Sequence, residues 1–420
     1  MKIKIEAYNK HYHQSGKFID NWQEGIKLLP FNSNPASAYD KKCGLHGTTG
    51  EFFRLWDNDG TKPIEDFEKT AVEPVKEYLT NKQMPNVQIS EFVRMMRDIM
   101  FINGNLNITD SAFLKYIPLV PNDERISAKD RRKYNDGQRK LANYLYSMLS
   151  DTLQNSGHSE TPNLFSKILQ EALTPFGGSS DESKERDYIV LPYIKKSFEE
   201  DLRWMLEQEE TVKIKYLHLL LHFYACYAVT QAIVRITARD KHNEDVPAPF
   251  YFILNSERAS VNHDAVVRGW SYQIPKSSLD KLYGKSQALD ILNSVLGGNI
   301  GFYNNIHETL NETDFEDNRV LCNELLSRYQ EEKREVFNRR TSENGSIEEI
   351  EIDVHSYDEF ISTLEYLCTG LQSPSYISRM RKKVIDLLSV RFLQSRRGNF
   401  VLVLDNEMLT FLVALFTKSK

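Results

Sequence analysis

Residues 211–241 read TVKIKYLHLLLHFYACYAVTQAIVRITARDK and hold the longest apolar run in an otherwise strongly polar chain. Between positions 216 and 236 the strongly polar members are His218, His222, Gln231 and Arg235. At a helical rise of about 1.5 Å per residue, a run of that length matches the hydrocarbon thickness of a bilayer. A membrane-attached helical protein is therefore one alternative. Against it, Lys213 and Lys215 before the run and Arg239 and Lys241 after it make both flanks basic, so there is no orienting asymmetry. The polar groups inside the run and a mean hydropathy of -0.50 for the chain point instead to a helix enclosed by protein on nearly all its faces. Other elements must cover it.

His218 and His222 stand one turn apart, the spacing by which two zinc ligands share a helix face. Cys226 follows at i+8, about 12 Å along the axis from His218, too far to share the ion. Leu219-Leu220-Leu221 also lacks the Glu that follows the first His on a zinc-protease helix. The pair reads as two buried histidines satisfied by neighbouring groups.

The chain of 420 residues is long enough for two or three domains. Hydrophobic residues at 40% and charged residues at 27% exclude a disordered chain. A formal charge of -6 argues against indiscriminate coating of nucleic acid and leaves room for a local basic surface. Cys43, Cys226, Cys322 and Cys368 are widely spread, as free thiols of a reducing compartment are. No export signal opens the sequence, so a cytoplasmic location is expected.

Outward from the central run the periodicity is mostly helical, and the expected class is mainly α, a multi-helix protein with a few short β-strands. Residues 1–175 form an N-terminal, mostly helical region. It opens with a short strand at Ile3 and Ile5 and a helix within 18–28, and contains the Asn103-Gly104-Asn105 turn. His11, His13, Cys43 and His46 are candidate zinc ligands there, the last two at zinc-knuckle spacing. Residues 188–370 form a central helical domain. In it an amphipathic helix (Ile194, Phe198, Leu202, Met205) precedes the apolar one as a hairpin, 250–254 and 348–354 read as strands, and 263–270, 278–296 and 315–340 read as helices. Ser356-Tyr357-Asp358-Glu359 has capping-box spacing.

Residues 371–420 form a basic C-terminal module. From Arg379 to Arg397, the basic residues Arg379, Arg381, Lys382, Lys383, Arg391, Arg396 and Arg397 stand against a single acidic one, Asp386, a local excess of six positive charges. Ile377, Met380, Val384, Leu387, Leu388 and Phe392 supply the buried side of the same helix. A turn at Arg396-Arg397-Gly398-Asn399, a strand over 400–404 and a final helix capped by Asp405 or Asn406 complete a winged-helix-like element. These cations are the candidate DNA-binding residues, suited to phosphate contact that is salt-dependent and largely independent of sequence.

No catalytic or nucleotide-binding motif emerges, and no cofactor is expected. Tyr283-Gly284-Lys285-Ser286 contains the Gly-Lys-Ser of a phosphate loop, but Leu279 stands where the first glycine belongs and the flanks are helical. A metal-dependent nuclease, the enzymatic alternative, needs acidic residues and a lysine converging on one ion. Glu182-Ser183-Lys184 and Glu332-Lys333 are pairs that any charged segment yields.

At Leu29-Pro30-Phe31, at Pro249-Phe250-Tyr251-Phe252-Ile253-Leu254 followed by Gly269-Trp270, and at Arg396-Arg397-Gly398 with Val401-Leu402-Val403-Leu404-Asp405, the chain resembles the DptG family. The similarity runs along most of the chain and rests on no catalytic motif. The resemblance implies a cytoplasmic component of a bacterial DNA phosphorothioation-dependent restriction system, working with DptF-like and DptH-like subunits against double-stranded DNA that lacks the mark. ATP-dependent work then belongs to the partners. The chain stops 15 residues after Asp405, shorter than the family's expected tail. The expected function is a non-catalytic subunit that bridges partners and touches DNA backbone, with no membrane involved.

Overall fold

A computed structural model describes residues 3–15, 17–19, 27–33, 37–39, 44–102, 105–123, 125–156, 164–174, 188–237, 246–248, 276–298, 300–340, 349–390, 393–396, 399–402 and 404–417. The protein is mainly α-helical. In chain order the helices are α1 (Ile5–Tyr12), α2 (His46–Asp57), α3 (Glu73–Asn81), α4 (Asn86–Met100), α5 (Ala128–Tyr146), α6 (Asp151–Ser156), α7 (Leu164–Leu173) and α8 (Pro192–Leu206). They continue as α9 (Glu210–Thr237), α10 (Lys276–Leu296), α11 (Tyr303–Thr309), α12 (Phe315–Arg340), α13 (Tyr357–Gly370), α14 (Pro374–Leu388) and α15 (Asn406–Thr417). Among the described residues, three two-stranded antiparallel hairpins join them: β1 (His13–Gln14) with β2 (Lys17–Phe18), β3 (Phe101–Ile102) with β4 (Asn105–Leu106), and β5 (Leu393–Arg396) with β6 (Asn399–Leu402).

The chain divides into two units that are discontinuous in sequence. The first comprises Met1–Pro35, Asp187–Tyr193 and Tyr227–Leu404, and the second Ala36–Arg186, Ile194–Cys226 and Asp405–Lys420. Each of the consecutive regions 1–175, 188–370 and 371–420 is thus shared between units, and α9 supplies its N-terminal part to one and its C-terminal part to the other.

In the second unit α2 packs on α5, α3 on α4 and α7. A core of Phe67, Val72, Val75, Val93, Met96, Met100, Phe113 and Leu169 joins α3, α4 and α7. Helices α8 and α9 meet there as an expected hairpin. Tyr224 of α9 donates its hydroxyl to Asp201 of α8 at 2.5 Å, and its ring sits edge-on to Phe198 at 5.0 Å. An 18-residue window of α9 is 83% buried inside the protein. A helix facing lipid would leave that surface uncovered, so α9 behaves as the core helix its composition predicted.

In the first unit α10 is the centre, packed by α1, α13 and α14. The start of the chain corrects the sequence reading: Ile3 and Ile5 do not open a strand. Tyr8 and Tyr12, one turn apart and fully buried, stack at 5.2 Å, and Tyr12 donates to the buried Asp290 of α10 at 2.7 Å. This i, i+4 aromatic pair outweighs two alternating isoleucines and makes the segment helical.

The segment 349–354 also differs from expectation. It forms no ladder in the described residues. Side-chain amides of α12 take the place of a partner strand: Gln330 exchanges hydrogen bonds with the Ile350 backbone at 3.1 and 3.2 Å, and Asn323 accepts from Val354 N–H at 3.0 Å. Asn323 and Gln330 are two turns apart on α12, so one helix face serves both ends of the extended run. Ser356 then caps α13, accepting from Glu359 N–H at 3.1 Å as the capping-box spacing required. The expected strand 250–254 and helix 263–270 lie outside the described residues, as does most of the expected 18–28 helix, of which Phe18 belongs to β2.

Candidate nucleic-acid interface

Three residues, Leu371, Gln372 and Ser373, link α13 to α14, and Pro374 opens α14 at a position where its missing N–H costs nothing. The two helices are thus joined by a short turn. The turn is tied to α10 through Gln372, whose Nε2 donates to Gln287 Oε1 at 2.6 Å, and the same oxygen accepts from Tyr329 at 2.9 Å. Both helices lie against α10. Tyr283 and Tyr376 meet at 5.5 Å, and Gly284 lets α13 approach so closely that a Cβ there would stand 2.5 Å from the Cys368 carbonyl oxygen. The β5–β6 hairpin follows, with Arg396 paired to Asn399 at its closing end.

Counting from Pro374, α14 separates into two faces. Tyr376, Met380, Lys383, Val384, Leu387 and Leu388 are buried, while Ser375, Ser378, Arg379 and Lys382 are exposed at helical spacing. The four candidate cations on this helix consequently have different positions. Arg379 is exposed, its guanidinium 5.6 Å from the Tyr376 ring centre. Lys382 is exposed and pairs with Asp386 one turn on. Arg381 is half-buried and bound to Asp280 of α10 at 3.0 Å. Lys383 is only 6% exposed and belongs to the inner side, because it falls one turn after Met380. Arg391, Arg397 and the side chain of Arg396 lie outside the described residues. Ser375 and Ser378 were not singled out by sequence. The helix start at Ser373-Pro374 was the signal that would have placed them.

The remaining candidates resolve into structural roles. Gly284-Lys285-Ser286 sits inside α10, where Gly284 admits α13, Lys285 pairs with Glu365 at 3.6 Å, and Ser286 donates back to the Leu282 and Tyr283 carbonyls. Among the proposed zinc ligands, His11 falls on α1, and His13 is held by Glu332 at 2.7 Å. His46 opens α2, and Cys43 lies outside the described residues. As the side chains stand, no three His, Cys, Asp or Glu groups among the described residues converge on a metal position. Burial pushes the Cys322 and Cys368 thiols up to about 12 and raises that of Cys226 as well, keeping all three protonated and inert as nucleophiles.

Of the two charged pairs weighed for nuclease chemistry, Glu182 and Lys184 lie outside the described residues. Glu332 accepts from Tyr8 at 2.6 Å and Lys333 is buried over the Tyr329 ring. The convergence of carboxylates and a lysine occurs elsewhere, at the end of α2. Lys115, 5% exposed, lies 3.1 Å from Asp57 and is hydrogen-bonded to Asp59. Burial opposes both charges, but the carboxylates raise the Lys115 pKa and Lys115 with Thr61 lowers that of Asp59. The ammonium thus occupies the place between the acids. Asn58, in the left-handed conformation, ends α2 and turns the chain so that Asp57 and Asp59 both reach it.

No protein-family model, curated protein or solved structure matches this chain.

Proposed function

We propose that the chain is a non-catalytic subunit of a DNA phosphorothioation-dependent restriction complex, which bridges DptF-like and DptH-like subunits in the cytoplasm and holds double-stranded DNA by its backbone. The observation that carries the DNA contact is the pair of helices α13 and α14, joined by a three-residue turn and each packed on α10, followed by a hairpin with Arg396 at its closing end. A second helix of this kind is the one that enters a DNA groove, and a hairpin beside it reaches the flanking phosphates. Arg379 and Lys382 on the solvent face of α14, with Arg391, Arg396 and Arg397 following in the sequence, supply positive charge in a chain that is acidic as a whole. The restriction context rests on the DptG resemblance.

The test is binding of the full chain to a labelled duplex at several salt concentrations, alongside co-purification with the two partner subunits. Binding that weakens steeply with salt, and is lost on joint substitution of Arg379, Lys382, Arg396 and Arg397 by Ala, is the expected result. Salt-insensitive behaviour removes the DNA role, and failure to co-purify removes the bridging role.

The Asp57, Asp59 and Lys115 cluster favours weighing a second reading, the metal-dependent nuclease. Cleavage of DNA by the isolated chain with Mg²⁺, abolished in Asp57→Asn, would make this cluster the functional centre instead.

A further inference from the structure

We infer that Arg235, buried in the last turn of α9, binds a small oxyanion, a phosphate or carboxylate group, within the first unit. Arg235 is 2% exposed, and among the described residues its guanidinium finds partners through Nη2 alone. That nitrogen donates to the Val246 carbonyl and lies 3.5 Å from the Tyr193 hydroxyl oxygen. Nε and Nη1, which carry the larger share of the N–H donors, have no acceptor. No carboxylate forms an ion pair with it among the described residues.

A guanidinium stays protonated in a protein, so this charge cannot be shed by titration. Taken out of water, it needs a negative charge beside it. Two other buried cations follow that rule: Lys115 lies 3.1 Å from Asp57, and Lys213 lies 3.4 Å from Glu210. Around Arg235 the Val246 carbonyl and the C-terminal end of α9 supply partial charges only. The group that completes the site is one a guanidinium holds by charge-assisted hydrogen bonds, a phosphate or a carboxylate.

The neighbouring groups fix the guanidinium for this role. Gln231, one turn before Arg235, accepts from Tyr193 at 2.8 Å and exchanges hydrogen bonds with both backbone groups of Ala248 at 2.9 Å. Tyr193, α9 and residues 246–248 are thereby joined around one end of the side chain. Burial raises the pKa of Tyr227, two turns before Arg235, and the guanidinium opposes that rise, so its charge is felt along the same helix face. Val246, whose carbonyl meets Nη2, is 58% exposed, so one thickness of chain separates the guanidinium from solvent. That depth suits a small anion rather than a nucleic-acid backbone.

The test is calorimetric titration of the full chain, in a buffer free of both anions, with inorganic phosphate and separately with acetate. One site per chain is expected, and the tighter of the two anions identifies the group. Arg235→Lys, which keeps the charge and loses the planar donors, should weaken binding by about 10-fold, and Arg235→Met by about 100-fold. Melting curves separate this role from a merely structural one. Without anion, Arg235→Met should melt at or above the temperature of the unsubstituted chain, because an apolar side chain of similar length replaces an unpaired charge. With the bound anion in excess the order should reverse. Absence of binding by either anion to the unsubstituted chain, or equal affinity in Arg235→Lys and the unsubstituted chain, overturns the inference. So does an Arg235→Met chain destabilised by the same margin with and without anion.

Discussion

Helices α9 and α14 both carry cations and polar groups among apolar residues, yet they put them to opposite uses. In α9 the polar groups of the last turns are tied down. Gln231 binds Tyr193 at 2.8 Å and both backbone groups of Ala248 at 2.9 Å, and Arg235, 2% exposed, donates to the Val246 carbonyl. In α14 Arg379 and Lys382 reach solvent, while Arg381 and Lys383 are drawn toward the core. A helix that is mostly covered turns the polar residues of its last turns into tethers, whereas a two-faced helix divides its cations between tethering and the solvent side.

Substitutions can break this contrast, beginning where the effect is greatest. Leu221→Ala, in a fully buried position of α9, is expected to destabilise the protein by about 2–5 kcal/mol in denaturant unfolding. Gln231→Ala leaves the buried Ala248 N–H and carbonyl without their partner and is expected to cost about 1–3 kcal/mol by the same measurement. Lys383→Ala removes an inward-lying stem and is expected to cost about 1 kcal/mol with duplex binding unchanged. Arg379→Ala with Lys382→Ala should shift stability by less than about 0.5 kcal/mol, and its effect should appear in DNA binding instead.

Much of the fold was legible because burial and helical periodicity agree along long segments. The apolar run of α9 and the Ser356 cap of α13 are local signals, and each appears where the residues indicated. The misreadings came from partners far away in sequence. Ile3 and Ile5 alternate as a strand does, but the buried carboxylate of Asp290 and the face of α10 select a helix for Tyr8 and Tyr12. The 349–354 run alternates too, and amides of α12 saturate its backbone where a strand would have done so.

The candidate site was half legible. Charge excess marked the C-terminal region, but treating seven cations as one patch ignored the period of 3.6 that turns Lys383 inward, and Asp280, which holds Arg381, is about a hundred residues away on α10. The stacking of His46 on His218 was hidden for the same reason, since His46 arrives from α2.

The proposed DNA contact through the outward face of α14, as against its inward structural one, is tested most directly by the salt dependence of duplex binding in two variants of the full chain. For Arg379→Ala/Lys382→Ala the slope of log affinity against log salt should become shallower by about 2, near 0.9 for each lost phosphate contact, across duplexes of unrelated sequence. For Lys383→Ala it should stay that of the unsubstituted protein. An unchanged slope in the double variant, or an equal loss in Lys383→Ala, would contradict the account.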